Sequence, residues 1–240
     1  MRELINSADF AVANLETNVS PSSPLGCEQK RKYGKPYLNA PTSYLTALKK
    51  SGFDVLVAAN NHNADTGVKG LKETVSNIDK HGFKRTGIFK NSKEQRFLLL
   101  KKDGIKVGIA SYATYFNTSI KDFSKLNQLT YLNLYSKSRV QRDIRDMKKQ
   151  GAEYIIIYFH SGKEYTNAAS SKQLRIAKEI ADSGADYILC SHSHTVQPHD
   201  IITAKNGKKV PVAYGLGNFI SHMTRKRNTT YGMMISLTLV

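Results

Sequence analysis

The 240 residues, 40% hydrophobic and 9% aromatic, supply enough apolar material for one substantial core. No run of about eighteen apolar residues occurs, which excludes a membrane-spanning helix. Met1-Arg2-Glu3-Leu4-Ile5 also lacks the layout of a secretory leader, so the chain reads as a soluble domain, whole or one piece of an anchored protein. The 36 Lys and Arg against 19 Asp and Glu leave a net charge of +17, a field that attracts polyanions such as nucleic acid, an anionic membrane surface or an acidic polymer. The basic residues are scattered. Small knots at Lys30-Arg31-Lys32, Lys148-Lys149, Lys208-Lys209 and Arg225-Lys226-Arg227 read as solvated surface. Two cysteines are too few for a disulfide scaffold. Cys190 ends an apolar run and is expected to be buried, while Cys27 falls in a Pro/Gly-rich loop.

In chain order, strand-like apolar runs alternate with amphipathic helical ones, which predicts an α/β fold. Met1 to Asp9 reads as a short helix and Phe10 to Leu15 as a strand, followed by a loop from Ser20 to Pro41. Thr42 is expected to cap a helix that leads into the strand Val55–Ala58. A second helix is expected over Val68–Lys80, with Leu71, Val75 and Ile78 on one face. Phe97 to Leu100 and Ile105 to Ala110 suggest a hairpin around Lys102-Asp103-Gly104. Tyr115 to Tyr135 is polar and irregular, read as an ordinary surface loop ahead of the alternative, a substrate-facing insertion. Helices over Ser138–Lys149 and Ser171–Ala181 precede the strands Tyr154–Phe159 and Tyr187–Cys190. Strands are expected at His199–Thr203, Val210–Tyr214 and Met233–Val240. Without a repeat, a low-complexity tract or a linker, residues 1–240 read as a single domain.

Chemistry collects at the ends of strands. The first strand ends at Glu16, the second at Asn60-Asn61-His62-Asn63-Ala64-Asp65, the third at His160 and the fourth at His192 and His194. Sites in α/β sheets gather beyond the carboxyl ends of strands. Imidazoles, a carboxylate and an amide oxygen meeting there suit divalent Mn, Zn or Fe. Any one of these residues alone is more often a hydrogen-bonded structural residue or a turn former. Their placement at four successive strand ends favours a metal site. His81, His199 and His222 fall elsewhere.

Five motifs resemble those of the capsule synthesis (CapA, poly-γ-glutamate synthesis) family, built on a calcineurin-like metallophosphoesterase plan. Asn14-Leu15-Glu16 is similar to its Asn-Leu-Glu, and Asn60 to Gly67 to its Asn-Asn-His-x-x-Asp-x-Gly. His160-Ser161-Gly162-Lys163-Glu164-Tyr165 resembles His-Trp-Gly-x-Glu-Tyr, with Ser161 replacing Trp. Ser191 to Gln197 resembles Gly-His-x-His-x-x-Gln, with Ser191 replacing Gly, and Tyr214 to Phe219 resembles Tyr-Ser-Leu-Gly-Asn-Phe. The resemblance implies an α/β/β/α sandwich. Glu16 would bridge two metals, Asn61, His160 and His192 would complete one position, and His194 would reach the other. His62 would be the general acid. Asp65 would orient it or, equally, cap the helix from Thr66 to Gly70. Glu164 and Asn218 would line the pocket. The superfamily's first strand carries an acidic ligand ahead of the segment that begins here, so the chain is expected to lack that strand and to be a fragment of a longer one.

The implied function is metal-dependent work in poly-γ-glutamate synthesis or export, with phosphoester hydrolysis as the reaction. The implied location is the cell surface or a membrane-anchored extracellular position, and the implied partners are an anionic polymer or phosphoester and a membrane capsule-synthesis complex. Two alternatives stand beside it: a metal-dependent phosphodiesterase or nuclease acting on nucleic acid, and a non-catalytic scaffold. No Gly-x-Ser-x-Gly elbow, His-Glu-x-x-His or Walker-type phosphate loop competes.

Overall fold

The computed structural model describes residues 2–28, 37–117, 124–223 and 228–239. They divide into two compact units, Met1–Leu98 with Tyr115–Leu134, and Leu99–Thr114 with Tyr135–Val240. The basic knots Lys30-Arg31-Lys32 and Arg225-Lys226-Arg227 lie outside the described residues, as do 118–123 of the expected loop.

In the first unit, helix α1 (Arg2–Asn6) precedes strand β1 (Val12–Asn14), and helix α2 (Thr42–Lys50) precedes β2 (Val55–Val57). Helix α3 (Gly67–Lys80) leads to β3 (Lys84–Thr86). The strands form a parallel sheet in the order β1-β2-β3, with Val12 opposite Val55 and Val55 opposite Lys84. Parallel strands need a crossover between them, and helices α2 and α3 follow that alternation. Leu71, Val75 and Ile78 are buried on α3, each burial worth about 1.5–3 kcal/mol.

Three expectations change in this unit. Thr42 is the first residue of α2 and not its cap. Pro41 precedes it at φ −70° and ψ 158°, a φ close to the one its ring imposes. The polar stretch after Tyr115 contains a helix, α4 (Lys125–Tyr131), whose first turn is capped by the Ser124 hydroxyl accepting from Asn127 N. Strand β3 was not foreseen, because Lys84-Arg85-Thr86 is too short and polar to signal one. Its buried Arg85 is satisfied by Asp79, by Glu94 at 2.7 Å and by the Ile88 carbonyl at 2.6 Å.

The second unit holds a six-stranded sheet. Its members are β4 (Leu98–Lys102), β5 (Ile105–Ala113), β6 (Tyr154–His160), β7 (Tyr187–Ser191), β8 (His199–Thr203) and β9 (Lys209–Ala213). The order is β4-β5-β6-β7-β9-β8. β5, β6, β7 and β9 run parallel, and β8 is antiparallel to β9 at the edge. The expected hairpin joins β4 to β5 through Asp103 and Gly104, at φ 47° and 89°, values that suit an Asp-Gly turn.

Helices α5 (Lys137–Lys149) and α6 (Ser171–Asp182) start at serine caps. Ser136 accepts from Arg139 N, and Ser170 forms a reciprocal capping box with Gln173. Val140, Ile144 and Met147 are the buried stripe of α5, and α5 packs on β5 while α6 packs on β7. Tyr112 on β5 donates to the buried Asp143 carboxylate on α5 at 2.8 Å. Burial, then the neighbouring carboxylate, pushes that phenol well above its ordinary range. Gln173 Nε2 reaches Gln197 Oε1 at 2.9 Å, the Tyr214 carbonyl at 3.0 Å and Cys190 Sγ at 3.5 Å. Cys190 is fully buried, as expected, and burial pushes its thiol up to about 12.

The expected terminal strand from Met233 is absent among the described residues. Gly232 makes one bridge to Gly217, and 233–239 follow without a ladder. Strand propensity describes fit to a pleated, half-buried surface, and here Met234 and Leu237 are exposed. No helix among the described residues is long and apolar enough to cross a membrane.

Candidate functional site

In the first unit Glu16 lies two residues past β1, half-buried, with Asn14 Nδ2 donating to its Oε2 at 3.1 Å. Asn14 Oδ1 is shielded from solvent and meets no hydrogen-bond donor among the described residues. Leaving a buried acceptor unsatisfied costs about 1–3 kcal/mol, and such groups concentrate where a ligand supplies the partner. The loop after β2 is tied to this segment by Asn60, whose Nδ2 donates to the Leu15 carbonyl at 2.7 Å. Asn60 Oδ1 accepts from His62 N, and Asn63 Oδ1 accepts from Asn60 N at 2.7 Å. Asn18 Nδ2 donates to the His62 carbonyl at 2.7 Å. The asparagines here serve as a frame for the loop. Asn61 is held within it at 3% exposure, its carbonyl accepting from Asn117 N.

His62 and Asp65 are both buried, with Nδ1 of the ring 2.6 Å from Asp65 Oδ2. A carboxylate only accepts, so Nδ1 carries the proton and Nε2 is left as the chemically active nitrogen. The same Oδ2 accepts from Leu38 N at 2.8 Å, which anchors the carboxylate. Thr66 occupies the N-cap of α3, without a side-chain capping bond.

In the second unit β6 ends at His160 and β7 at Ser191, and the parallel register places these two opposite each other. Ser191 Oγ lies 2.7 Å from His160 Nδ1. His192 Nδ1 lies 3.1 Å from His160 Nε2, with the rings 4.9 Å apart in a T-shaped arrangement. Both are nearly sealed from solvent, at 1% and 4% exposure. His192 and His194 sit at φ 107° and 56°, conformations that cost about 1–3 kcal/mol each and cluster at functional sites. His194 Nδ1 is 3.0 Å from Asn218 Oδ1, and the Tyr165 ring stacks on the imidazole at 5.9 Å and 21°. His160, His192 and His194 therefore form one cluster. Glu164 stands half-buried beyond β6.

Chemically, two buried imidazole nitrogens 3.1 Å apart either share a proton or face a common cation. In the second unit the three imidazoles are donors of a type that fits a divalent transition metal, and in the first the Glu16 carboxylate is another such type. Residues to which the sequence assigned no role now stand out: Ser191 and Tyr165 on the imidazoles, Asn18 and Asn60 under His62, and Asn14 beside Glu16. Ser191 was readable as the residue beside His160, once β6 and β7 were paired in register.

The family model for the bacterial capsule synthesis protein PGA_cap matches residues 1–223. The capsule biosynthesis protein CapA of Bacillus anthracis is 28% identical over 227 residues, covering 90% of this chain and 51% of that protein. The PGA biosynthesis protein CapA of Bacillus subtilis is 24% identical over 219 residues, covering 90% and 54%. The chain spans about half the length of these relatives. Among solved structures, the NAD nucleotidase NadN of Haemophilus influenzae superposes with a TM-score of 0.52 at 17% identity, covering 80% of this chain and 42% of that one. That likeness carries the fold alone, an α/β architecture.

Proposed function

The chain belongs to the bacterial capsule synthesis (PGA_cap) family, and from that premise we propose that it is a metal-dependent domain acting in synthesis or export of a poly-γ-glutamate-like polymer, with phosphoester hydrolysis as its chemistry. The observation that carries the metal reading is the buried His160–His192 pair, with ring nitrogens 3.1 Å apart. In this reading His160, His192 and His194 of the second unit, and Glu16 and Asn61 of the first, would be the residues that offer ligand atoms to Mn, Zn or Fe. A divalent ion so held would supply Lewis-acid charge neutralisation at a phosphoryl oxygen and make water a better nucleophile near neutral pH.

The chain's own residues do the rest. His62 Nε2 gives its proton to the leaving oxygen, acting as general acid, once the ring is protonated. Asp65 keeps the Nδ1 proton in place and stabilises the imidazolium, as its 2.6 Å contact supports. The net charge of +17 draws an anionic substrate toward the protein. For the complete protein, the reading extends to a cell-surface, membrane-anchored location within a capsule-synthesis complex.

The test is calorimetric titration with Mn and Zn alongside hydrolysis of bis(p-nitrophenyl) phosphate, for the wild type and for His160→Ala/His192→Ala. Tight metal binding and metal-dependent turnover in the wild type, both lost in the double variant, are expected. Unchanged metal affinity in a folded double variant would overturn the metal reading. Metal binding without turnover would reduce the domain to a scaffold. The positive charge also favours nucleic acid as the polyanion, and metal-dependent DNA cleavage that weakens steeply with salt would put a nuclease in place of the capsule reading.

A further inference from the structure

We infer that Asn218 is a positioning residue that sets the tautomer of His194, so that this imidazole presents Nε2, and not Nδ1, to a cation. The metal consequence rests on the proposed function above, whereas the tautomer is a property of the chain without metal.

The orientation of the Asn218 amide decides the matter. Its Nδ2 donates to the Thr229 carbonyl at 2.9 Å and faces the His194 carbonyl at 3.5 Å and Met223 Sδ at 3.9 Å. Turning the amide over would set its oxygen against two carbonyl oxygens and a sulfur. Oδ1 is therefore the atom that meets His194 Nδ1, at 3.0 Å. An amide oxygen can only accept, so Nδ1 must carry the proton. A neutral imidazole has one such proton, which makes Nε2 the lone-pair nitrogen.

The backbone that carries Asn218 is fixed as well. Gly217 adopts φ 69°, and a β-carbon there would come within 2.3 Å of the Tyr231 carbonyl oxygen. Gly217 bridges Gly232, and Asn218 N donates to the Tyr231 carbonyl at 3.2 Å. Asn218 thus faces His194 at two points, ring nitrogen and carbonyl, while His194 itself is in the left-handed region. The stacked Tyr165 ring covers one face of the imidazole. His160 has a different partner. Its Nδ1 faces the Ser191 hydroxyl, which can donate or accept. A carboxamide is the side chain that can accept from the ring and donate to Thr229 at the same time. An aspartate keeps the first bond and replaces the second with an oxygen facing the Thr229 carbonyl, so that it isolates the contact to the ring.

Long-range ¹H–¹⁵N spectra of histidine-labelled, EDTA-treated protein, above the ordinary imidazole titration range, read the tautomer directly. His194 is expected as the Nδ1–H form in the wild type and in Asn218→Asp, and as a mixture in Asn218→Ala. Zinc titration should then show roughly 10–100-fold weaker binding in Asn218→Ala, the usual cost of losing a partner behind a ligand, with recovery in Asn218→Asp. An Nε2–H tautomer in the wild type overturns the inference, whatever the variants do. So does an Asn218→Ala protein, native by circular dichroism, with the same tautomer and zinc affinity as wild type. If the wild type binds none of zinc, manganese and iron, the metal reading falls, and the tautomer stands or falls on the spectra alone.

Discussion

In the first unit the imidazole of His62 lies 2.6 Å from a carboxylate, whereas in the second His160 lies against a hydroxyl and His194 against a carboxamide. The partners differ in charge, and charge decides what an imidazole is suited to do. A carboxylate stabilises imidazolium, which suits a group that carries a proton to a leaving oxygen. A hydroxyl or carboxamide orients the ring without bringing a charge to it, which suits a group that offers a lone pair to a cation. Under the proposed function, the same residue type would serve two tasks according to what stands behind it. The first unit builds its partner from a loop, and the second builds one from the end of β7, Ser191, and one from the chain beyond β9, Asn218.

Replacing His62 should break the comparison most visibly. His62→Ala is expected to lower turnover about 10²–10⁴-fold, the usual worth of general acid catalysis, while metal content by atomic absorption stays at the wild-type level. Loss of metal together with rate would place His62 among the ligands. Asp65→Asn gives His62 the neutral kind of partner found in the second unit. A smaller loss, about 10–100-fold, is expected, with a shifted limb in the pH–rate profile. An unchanged profile would mean that the carboxylate serves only to hold Leu38.

Ser191→Gly removes the hydroxyl behind His160 and restores the residue that the family motif carries at this point. One net hydrogen bond is worth about 0.5–1.5 kcal/mol, so metal affinity should fall by less than about tenfold in a calorimetric titration. A larger loss would make Ser191 indispensable.

Glu73→Gln tests a carboxylate without a catalytic part. The Ser22 hydroxyl at 2.6 Å, with Ser20 at 2.7 Å, holds the Glu73 carboxyl below its usual range. A depressed carboxyl stabilises the fold above its unfolded value, about 4.3, and loses that contribution as pH falls through the folded value. Denaturant melts should show the variant weaker at pH 7 by less than about 1 kcal/mol, since the pair is largely solvated, with the gap closing toward pH 3.

Much of this was legible beforehand, and the limits have physical reasons. Apolar runs and their period marked most helices and strands, and the placement of His160, His192 and His194 just beyond strand ends marked the histidine cluster of the second unit. The Asp65 contact was readable as one of two options, since i to i+3 spacing allows a turn to bring it to His62. Asn218 carried no readable role, because its meeting with His194 depends on a bridge between Gly217 and Gly232 and on two backbones in the left-handed region. Neither feature has a periodic signature. The segment after Gly232 shows the converse, since its alternating apolar residues promised a strand that has no ladder among the described residues.

The buried thiol of Cys190 gives the protein a natural reporter. Cys27 is exposed, while Cys190 is sealed beneath Gln173 with its thiol pushed up to about 12, so near neutral pH it stays protonated and out of reach of reagents. An alkylating reagent should therefore tag the native chain once, quickly, at Cys27. A second tag should appear only as the sheet around Cys190 opens. Counting tags by mass spectrometry through a denaturant series would follow the opening of the second unit alone, in unlabelled wild-type protein. Prompt double tagging in native buffer would show that this core is breached far more readily than its packing implies.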